Sequence, residues 1–277
     1  MTRATLAEVL APAMAEGHAV AGLVCLGWED ARAYAAAAET EGAPVILQAG
    51  PGARAHIPLP VWGAMLGELA DAVSVPVVIH LDHGASAAEC EAAIAHGFTS
   101  VMFDGSRLPL EDNIDQTARI ARRARAAGVS CEGEIGFVGY AEGEASSGTD
   151  PAEATRFAGE TGVDAMAVSV GNVHLQRSAV AEIDEARLAA IAAETDVPLV
   201  LHGGSGLSRD LRRRLARSTK VCKLNIGTEL RMGFGAALRR TLESDADVFD
   251  RIAILSRTEA PLEALAREII RELRHPG

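Results

Sequence analysis

Aromatic residues and long hydrophobic runs are both scarce in this sequence. Phe, Trp and Tyr make up 4% of its 277 residues, so Ala, Val, Leu and Ile must fill any core. No hydrophobic run approaches the roughly 20 residues of a membrane-spanning helix. The residues after Met1 also lack the apolar segment and cleavage site of a secretory signal peptide. We therefore expect neither a membrane protein nor a secreted one.

Cysteine and lysine are sparse as well. Four cysteines lie far apart and form no Cys-x-x-Cys pair: Cys25, Cys90, Cys131 and Cys222. This spacing predicts buried free thiols in a reducing cytoplasm rather than disulfides or a cysteine zinc site. Lys220 and Lys223 are the only lysines among 26 basic residues, which leaves few candidates for chemistry through a lysine amine.

Positive charge is also in deficit, because 38 acidic residues against 26 basic ones give a net charge of −12. A nucleic acid or an anionic membrane surface needs a basic face on its protein partner. The charge therefore argues against either of them as a partner.

The sequence does contain a regular alternation of apolar runs of strand length with Ala-rich helical stretches. Eight strands are predicted, at residues 19–26, 44–49, 76–81, 99–103, 129–135, 165–170, 198–201 and 221–226. Apolar strands separated by helices are typical of a parallel sheet that is covered on both faces. Eight repeats in this length favour a closed barrel, and no Gly-x-Gly-x-x-Gly follows the first strand as in a dinucleotide-binding sheet. We predict an α/β fold, a (β/α)8 TIM barrel, as a single domain over residues 1–277.

Helices are predicted between these strands, at residues 28–40, 60–73, 87–96, 110–127, 151–161, 185–194 and 208–218. An extra N-terminal helix at residues 5–16 is expected to close the bottom of the barrel. After Gly227 we expect a last barrel helix and a C-terminal helical tail at residues 261–273.

Polar side chains mark the ends of six successive predicted strands. In a parallel barrel these ends meet at one mouth, where barrel enzymes carry their chemistry. The side chains are Asp82 and His83 at the third strand, Asp104 at the fourth, Glu132 and Glu134 on the fifth, His174 after the sixth, His202 after the seventh and Asn225 on the eighth.

Three of these side chains, His83, His174 and His202, are imidazoles on separate loops. Such a set is typical of an open zinc site, which leaves a coordination position for a substrate. Each histidine alone is more simply explained as packing at its strand end, but together they favour a divalent metal site. Four other histidines lack such a placement and are expected to be structural or surface residues: His18, His56, His96 and His275.

His202 opens a glycine-rich turn, Gly203-Gly204-Ser205-Gly206, just before a predicted helix. Glycines let backbone N–H groups approach an anion closely, and the start of a helix adds partial positive charge. Tight turns also need glycine for conformational reasons alone. Because barrels commonly bind phosphate on the loops after strands seven and eight, we interpret the turn as a phosphate site.

Residues 136–150 form a long polar stretch that is rich in Gly, Ser and Glu. A loop of this length in a compact domain is usually functional or disordered. We interpret it as a mobile lid that carries Glu142, with plain disorder as the alternative.

Six short segments share their order and spacing with a known family. They are HLDH at 80–83, SVMFD at 100–104, EGEIG at 132–136, GNVH at 171–174, LHGGSG at 201–206 and KLNIGTE at 223–229. From about Gly17 to Glu229 the sequence resembles the class II, metal-dependent aldolases that act on fructose bisphosphate or tagatose bisphosphate.

That resemblance implies a carbon–carbon lyase. The implied reaction is reversible cleavage of a ketose (bis)phosphate to dihydroxyacetone phosphate and an aldehyde such as glyceraldehyde 3-phosphate. It implies Zn2+, or another divalent cation, held by His83, His174 and His202, with a monovalent cation as an assisting ion. It also implies a homodimer or a homotetramer.

The resemblance also implies roles for single residues. Asp82 corresponds to the acid/base at the oxygen on C4, and Glu142 to the lid base that takes a proton from the three-carbon donor. Glu134 corresponds to an alternate metal ligand, and Asp104 to an acidic residue beside the metal. The positions around the donor and its phosphate are Gly203, Gly204, Ser205, Asn225, Gly227 and Thr228, with Arg177 in place of a lysine often found there.

The chemistry of aldol cleavage agrees with a metal site. Cleavage leaves a carbanion, which a metal stabilises as a Lewis acid, whereas the alternative route uses a lysine Schiff base. Lys223 lies on the last predicted strand and points the same way as Asn225, so it is the candidate for that route. The three histidines favour the metal.

The sequence departs from the family mainly at positions involved in substrate recognition. Leu23-Val24 stand where the family usually has Phe-Asn, Gly50 replaces a common Ser, and Leu175 replaces the glycine that usually follows His174. The arginine that binds the far phosphate in the family is not evident at residues 261–264. The substrate could therefore be a different or a singly phosphorylated ketose.

Two other functions stay open. A metal-dependent hydrolase or sugar isomerase on a barrel is one, although the first strand lacks the His-x-His that usually opens an amidohydrolase barrel. A non-catalytic aldolase-like subunit is the other. Such a subunit would be expected to lose its metal or acid/base groups, which this chain keeps.

Overall fold

The computed structural model describes residues 2–274, which form a barrel of eight parallel strands surrounded by helices. His275, which we expected to be a structural or surface residue, lies outside the described residues. The strands are β1 (Arg3–Ala4), β2 (Val20–Val24), β3 (Val45–Ala49), β4 (Val77–Gly84), β5 (Ser100–Phe103), β6 (Ser130–Ile135), β7 (Ala165–Val168), β8 (Leu199–Leu201) and β9 (Val221–Ile226). β2 to β9 pair in chain order, β9 pairs with β2, and the ring is closed. The prediction of a TIM barrel is confirmed.

Helices connect and cover these strands. They are α1 (Leu6–Glu16), α2 (Trp28–Glu41), α3 (Pro51–His56), α4 (Leu59–Asp71), α5 (Ala87–Ala95), α6 (Leu110–Ala126), α7 (Pro151–Thr161), α8 (Glu185–Glu194), α9 (Arg209–Ser218), α10 (Thr228–Ser244) and α11 (Arg251–Arg274). A short 3-10 turn covers Gly204–Gly206. The helices predicted from the apolar patterns are all present, with ends shifted by a few residues.

The extra N-terminal helix α1 is held by its cap and by its apolar face. Thr5 accepts a hydrogen bond from the backbone N–H of Glu8, whose carboxylate accepts one from the backbone N–H of Thr5. This capping box satisfies two N–H groups that a helix start leaves free. Leu6 and Leu10 of α1 are fully buried and pack with Val20, Ile46, Val78 and Val200, whose side chains fill one end of the barrel.

Three elements differ from the prediction. The two-residue strand β1 pairs with the start of β4, and α3 covers Pro51–His56, where no element was predicted. The tail was predicted at residues 261–273, yet α11 begins at Arg251 and contains Pro261. Packing of α11 against the barrel, with Leu262, Ile269 and neighbouring side chains buried, outweighs the backbone hydrogen bond that the proline removes.

Two expectations from the composition can be compared with the described residues. All four cysteines are free and buried, as predicted. Within residues 2–274 no helix is both long and apolar enough to cross a membrane. The assignment of residues 1–277 to one domain stays a prediction.

Candidate active site

The three imidazoles that the sequence singled out come together at the carboxyl ends of the strands. His83 lies near the end of β4, His174 in the loop after β7, and His202 directly after β8. The ring centroids of His83 and His202 are 4.5 Å apart, those of His83 and His174 5.1 Å, and those of His174 and His202 5.4 Å. One ring nitrogen of each lies within 4.8 Å of the other two, a spacing that fits a shared cation.

Hydrogen bonds set which nitrogens face the centre of this cluster. Nδ1 of His83 lies 2.9 Å from the Asp104 carboxylate and therefore carries the proton that it donates. The Nε2 atom of His83 then faces Nδ1 of His202, at 2.9 Å. Two nitrogen lone pairs repel each other at this distance, so a proton or a metal ion must lie between them. The donor set therefore fits a divalent cation, which three neutral imidazoles would hold.

The charge of the cluster agrees with this assignment. Burial lowers the pKa of His83, but the nearby carboxylates of Asp82, Asp104 and Glu134 outweigh it and raise the pKa to about 10. Burial and the charge of His83 lower the pKa of His174 to about 4, and they hold the pKa of His202 well below its ordinary value. A proton on His83 thus takes the place of positive charge that a metal ion would supply.

Asp104 and Glu134 flank His83 on the side away from the other two imidazoles. Burial raises the pKa of Asp104, but the hydrogen bond and charge of His83 and the hydrogen bonds from Ser106 together outweigh burial and lower that pKa. The Ser106 hydroxyl donates to the carboxylate at 2.6 Å. Glu134 lies 3.5 Å from Nδ1 of His83, and burial raises its pKa to about 8. Because His83, Asp104 and Glu134 form a second group with ligand spacing, an alternate metal position there stays a prediction.

Asp82 lies beside the imidazoles with an ionised carboxylate. Its side chain is buried, and its nearest amide is Nδ2 of Asn225, at 3.5 Å. Burial raises the pKa of Asp82, but nearby positive charge, chiefly that of His83, outweighs burial and lowers it. A carboxylate without strong donors can accept a proton from a bound molecule, which is the property that a general base needs.

These groups share one cavity of about 250 Å³ at the mouth of the barrel. The predicted site residues that line it are Asp82, His83, His174, His202, Gly203, Ser205, Asn225, Gly227 and Thr228. Gly204 lies buried behind the wall, and Arg177 lines a neighbouring cavity that also includes Ser205. Glu142 is exposed and does not line the cavity.

The glycine-rich turn after His202 has a backbone that only glycine adopts easily. Gly203 has a φ of +68°, and a Cβ there would lie 2.1 Å from the carbonyl oxygen of Val173. Ser205 links the turn to the start of α10, because its hydroxyl accepts the N–H groups of Gly227 at 3.3 Å and Glu229 at 3.1 Å. The turn and a helix start therefore adjoin in the cavity wall, as a phosphate site requires.

The predicted lid is attached to the metal cluster through its backbone. The N–H of His174 donates to the carbonyl of Gly139 at 2.8 Å, and the N–H of Ala141 donates to the carbonyl of His174 at 3.0 Å. The ring of Tyr140 stacks on that of His174, with centroids 5.1 Å apart. Glu142 lies in the turn that follows, and the mobility of this segment stays a prediction.

Sequence reasoning did not single out two residues of the cavity wall, Tyr140 and Arg231. Tyr140 is one of two tyrosines and lies inside the predicted lid, which could have indicated it. Arg231 lines both this cavity and an adjoining one of about 480 Å³. It lies one helical turn after Gly227, and its guanidinium has no hydrogen bond or ion pair within residues 2–274.

Lys223, the candidate for a Schiff base, is fully buried inside the barrel and does not line the cavity. Its ammonium donates to Glu132 at 2.6 Å and to Nε2 of His80 at 3.0 Å. An amine held in this way is not accessible to a carbonyl in the cavity, so the structure disfavours the Schiff-base route.

Comparisons with known proteins agree with this geometry. The family model described as fructose-bisphosphate aldolase class-II matches residues 4–277. The chain is 36% identical over 275 residues to the 6-phospho-5-dehydro-2-deoxy-D-gluconate aldolase of Shouchella clausii, covering 96% of this chain and 93% of the relative. It is 36% identical over 284 residues to the fructose-bisphosphate aldolase of Geobacillus stearothermophilus, covering 100% and 99%.

Solved structures show the same relationship. The crystal structure of the YdjI aldolase from Escherichia coli K12 superposes with a TM-score of 0.87 at 28% identity, covering 99% of this chain and 98% of that one. With the family match over nearly all residues and the shared barrel, the chain belongs to the class II fructose-bisphosphate aldolase family and is an aldolase, a carbon–carbon lyase.

Proposed function

We propose that this chain is a zinc-dependent aldolase that reversibly cleaves a ketose phosphate to dihydroxyacetone phosphate and an aldehyde. The observation that carries the proposal is the convergence of three imidazoles and the ionised Asp82 in one cavity. A bound divalent cation supplies Lewis-acid stabilisation for the negative charge that develops as the carbon–carbon bond breaks. His83, His174 and His202 would hold that cation.

Asp82 is proposed as the acid/base at the hydroxyl on C4. In cleavage its carboxylate takes the hydroxyl proton as the aldehyde forms, and in condensation it returns the proton. The lowered pKa of Asp82 keeps it in the basic form before cleavage. Asn225, on the neighbouring wall, orients the carboxylate through its amide.

Glu142 is proposed to exchange the proton at the donor carbon after cleavage. It is exposed in the present conformation, so this role requires the segment 136–150 to close over the cavity. The backbone bonds between Ala141 and His174 would carry such a movement to the metal cluster. Closure would also exclude water from the carbanion.

The phosphate of the donor is assigned to the turn 203–206 and the start of α10. Backbone N–H groups and the hydroxyls of Ser205 and Thr228 line that part of the cavity. Arg177 lies behind Ser205 in the neighbouring cavity, from which its charge can attract the phosphate. A sugar phosphate substrate agrees with the names of the relatives.

The far end of the substrate is assigned to the adjoining cavity, which is lined by two arginines, Arg231 and Arg251. Val24, Leu26 and Arg231 line both cavities, so a molecule can extend from one to the other. The named substrate of one relative, 6-phospho-5-dehydro-2-deoxy-D-gluconate, carries a carboxylate at the end opposite its phosphate, whereas a fructose bisphosphate carries a second phosphate there. Either anion suits Arg231, so fructose- or tagatose-bisphosphate and a singly phosphorylated keto acid are all candidates.

The test is metal-dependent cleavage. We expect the purified chain to release dihydroxyacetone phosphate from at least one of these ketoses, to lose activity after chelation and to regain it with added zinc. In the synthetic direction, a panel of aldehydes with phosphate, carboxylate or neutral ends, offered with dihydroxyacetone phosphate, identifies the acceptor. Arg231→Gln should raise the KM for the anionic acceptors and leave neutral ones unaffected.

Two outcomes would contradict the proposal. A borohydride-trapped adduct of the donor on Lys223 would show the Schiff-base route instead. Metal binding without turnover of any ketose phosphate would support a non-catalytic aldolase-like subunit. The free buried thiols suit a reducing cytoplasm, where we propose that the enzyme acts as a homodimer or a homotetramer.

A further inference from the structure

A line of buried polar side chains runs through the interior of the barrel beneath the metal cluster. Lys223 and Glu132 are both completely buried and form an ion pair, with Nζ 2.6 Å from Oε2. His80 also contacts the ammonium of Lys223, and Ser100 is hydrogen-bonded to His80. None of these four side chains lines the catalytic cavity, and the proposed reaction places none of them against the substrate or the metal ion.

The hydrogen bonds in this line have one consistent direction. An ammonium only donates, so Nε2 of His80 must accept from Lys223, at 3.0 Å. Nδ1 of His80 therefore carries the proton and donates to Ser100, at 2.8 Å. His80 and Glu132 together fix the position of the ammonium, and Nε2 of His80 lies 3.6 Å from Oε2 of Glu132.

Glu132 connects the line to the metal cluster. Its second oxygen, Oε1, lies 3.4 Å from Nε2 of His202, and an ionised carboxylate only accepts. The proton of neutral His202 is therefore on Nε2, and the lone pair on Nδ1 faces His83. A carboxylate that fixes the tautomer of a metal-binding imidazole in this way typically contributes 10- to 100-fold to metal affinity.

We propose that Lys223 and Glu132 are positioning residues that hold His202 in its metal-binding tautomer and orientation. Lys223 holds the carboxylate of Glu132 in place, and Glu132 acts on His202, so the lysine acts only through the glutamate. The inference rests on the proposed metal role of His202. Lys223, the candidate for a Schiff base, is thereby assigned a role in supporting the metal site instead of a role in covalent catalysis.

The test is a double-mutant cycle on metal affinity. The variants are Glu132→Gln, Lys223→Met and the two combined, with the apparent Kd for zinc measured by competition with a chelator at one pH. We expect each single variant to weaken zinc binding 10- to 100-fold. Because Lys223 acts through Glu132, Lys223→Met should cause no further loss in the Glu132→Gln background. Independent losses that multiply would overturn the proposal.

Lys220→Met is the matched control, because it removes the only other lysine, at the residue just before the same strand. Lys220 is partly exposed and bonds to Thr195 and Asp196 rather than to the network. Zinc affinity should be unchanged in this variant. An equal loss in Lys220→Met would show a general effect of losing a lysine and would contradict the assignment.

Folding is measured separately by circular dichroism of the metal-free proteins. The single variants leave one buried charge without its partner and can lose stability for that reason alone, whereas the double variant replaces the pair with neutral groups of similar shape. If only the double variant folds, a 10- to 100-fold weaker zinc affinity supports the proposal and a wild-type affinity overturns it. If the wild-type chain binds no zinc, the proposed function is overturned together with this inference. If the wild type binds zinc and the variants bind it with the same affinity, only this inference is overturned.

Discussion

His83 controls the charge of the metal-free site, because carboxylates surround it on one side and imidazoles on the other. With a pKa of about 10 in the folded protein against about 6.5 in an unfolded chain, it stays protonated at neutral pH. A raised pKa stabilises the folded state fully below pH 6.5, and this stabilisation is lost as the pH rises through 10. A metal ion that binds the neutral imidazole must first displace this proton.

Zinc uptake should therefore depend on pH through His83. We expect the apparent affinity to rise about tenfold per pH unit between pH 7 and 9 as one proton is released. Chelator competition, corrected for the protonation of the chelator, measures the slope. In Asp104→Asn the imidazole loses its main hydrogen-bonded carboxylate, its pKa falls, and the slope should flatten. An affinity independent of pH in the wild type would contradict the assigned charge state.

Substitutions can distinguish the catalytic role proposed for Asp82 from the metal-binding role proposed for the histidines. Asp82→Asn keeps the shape of the side chain and removes the base, so we expect kcat to fall roughly 10²- to 10⁴-fold with metal content unchanged. His202→Ala is the contrasting variant, which should lose the metal and the activity together. Elemental analysis beside steady-state kinetics distinguishes the two. Wild-type metal content in His202→Ala would refute the ligand assignment.

At the scale of elements, the loop after β7 carries backbone strain next to the metal cluster. His83 and Leu175 are the non-glycine residues with positive φ among those described, at 50° and 58°. The family usually has glycine where this chain has Leu175. A side chain in this left-handed region costs roughly 1–2 kcal/mol, and Leu175 is half exposed, so its packing recovers little.

Substitution at this position should reverse the usual ranking of alanine and glycine. Leu175→Ala keeps the Cβ and its strain, whereas Leu175→Gly removes both. We expect the glycine variant to be about 1 kcal/mol more stable than the alanine variant, which corresponds to roughly 2 °C in Tm for a protein of this size. Thermal unfolding of both variants in the metal-free state measures the difference. An alanine variant that is the more stable would show that the loop relaxes out of this conformation.

The elements and site residues that could be predicted from sequence are those that a local pattern determines. Eight apolar runs with intervening helices predict a barrel, and a barrel places His83, His174 and His202 at one mouth. The helix α3 and the start of α11 at Arg251 could not be predicted, since Gly-Pro-Gly indicates a loop and Pro261 indicates a helix start. Only tertiary packing decides those cases. The role of Glu132 was also hidden, because a side chain on a strand does not reveal which imidazole it meets.

At the scale of the whole molecule, the C-terminal helices both complete the barrel and expose apolar surface. The inner face of α11 is buried through residues such as Leu262 and Ile269, and its outer face is joined to α2 by ion pairs such as Arg267–Glu41. Four large apolar side chains on α10, α11 and their connection are nevertheless exposed: Met232 at 46%, Leu242 at 45%, Phe249 at 92% and Ile252 at 78%. Phe249 and Ile252, three residues apart around the start of α11, are the most exposed of the four, and exposed large apolar side chains that adjoin one another can mark an interaction surface.

We expect this surface to be where copies of the chain associate. Replacing both Phe249 and Ile252 with Asp would place two carboxylates in an apolar contact, so the assembly should dissociate to monomers, as light scattering after size-exclusion chromatography can measure. Val180→Asp is the matched control, because Val180 is 65% exposed but lies in the loop before α8, and this variant should keep the wild-type mass. A monomeric wild type would refute association, and an assembly that survives both substitutions would place it on another face. Since Arg251 and Leu255 of α11 line the cavity that adjoins the catalytic one, dissociation should also raise the KM for the acceptor aldehyde more than it lowers kcat.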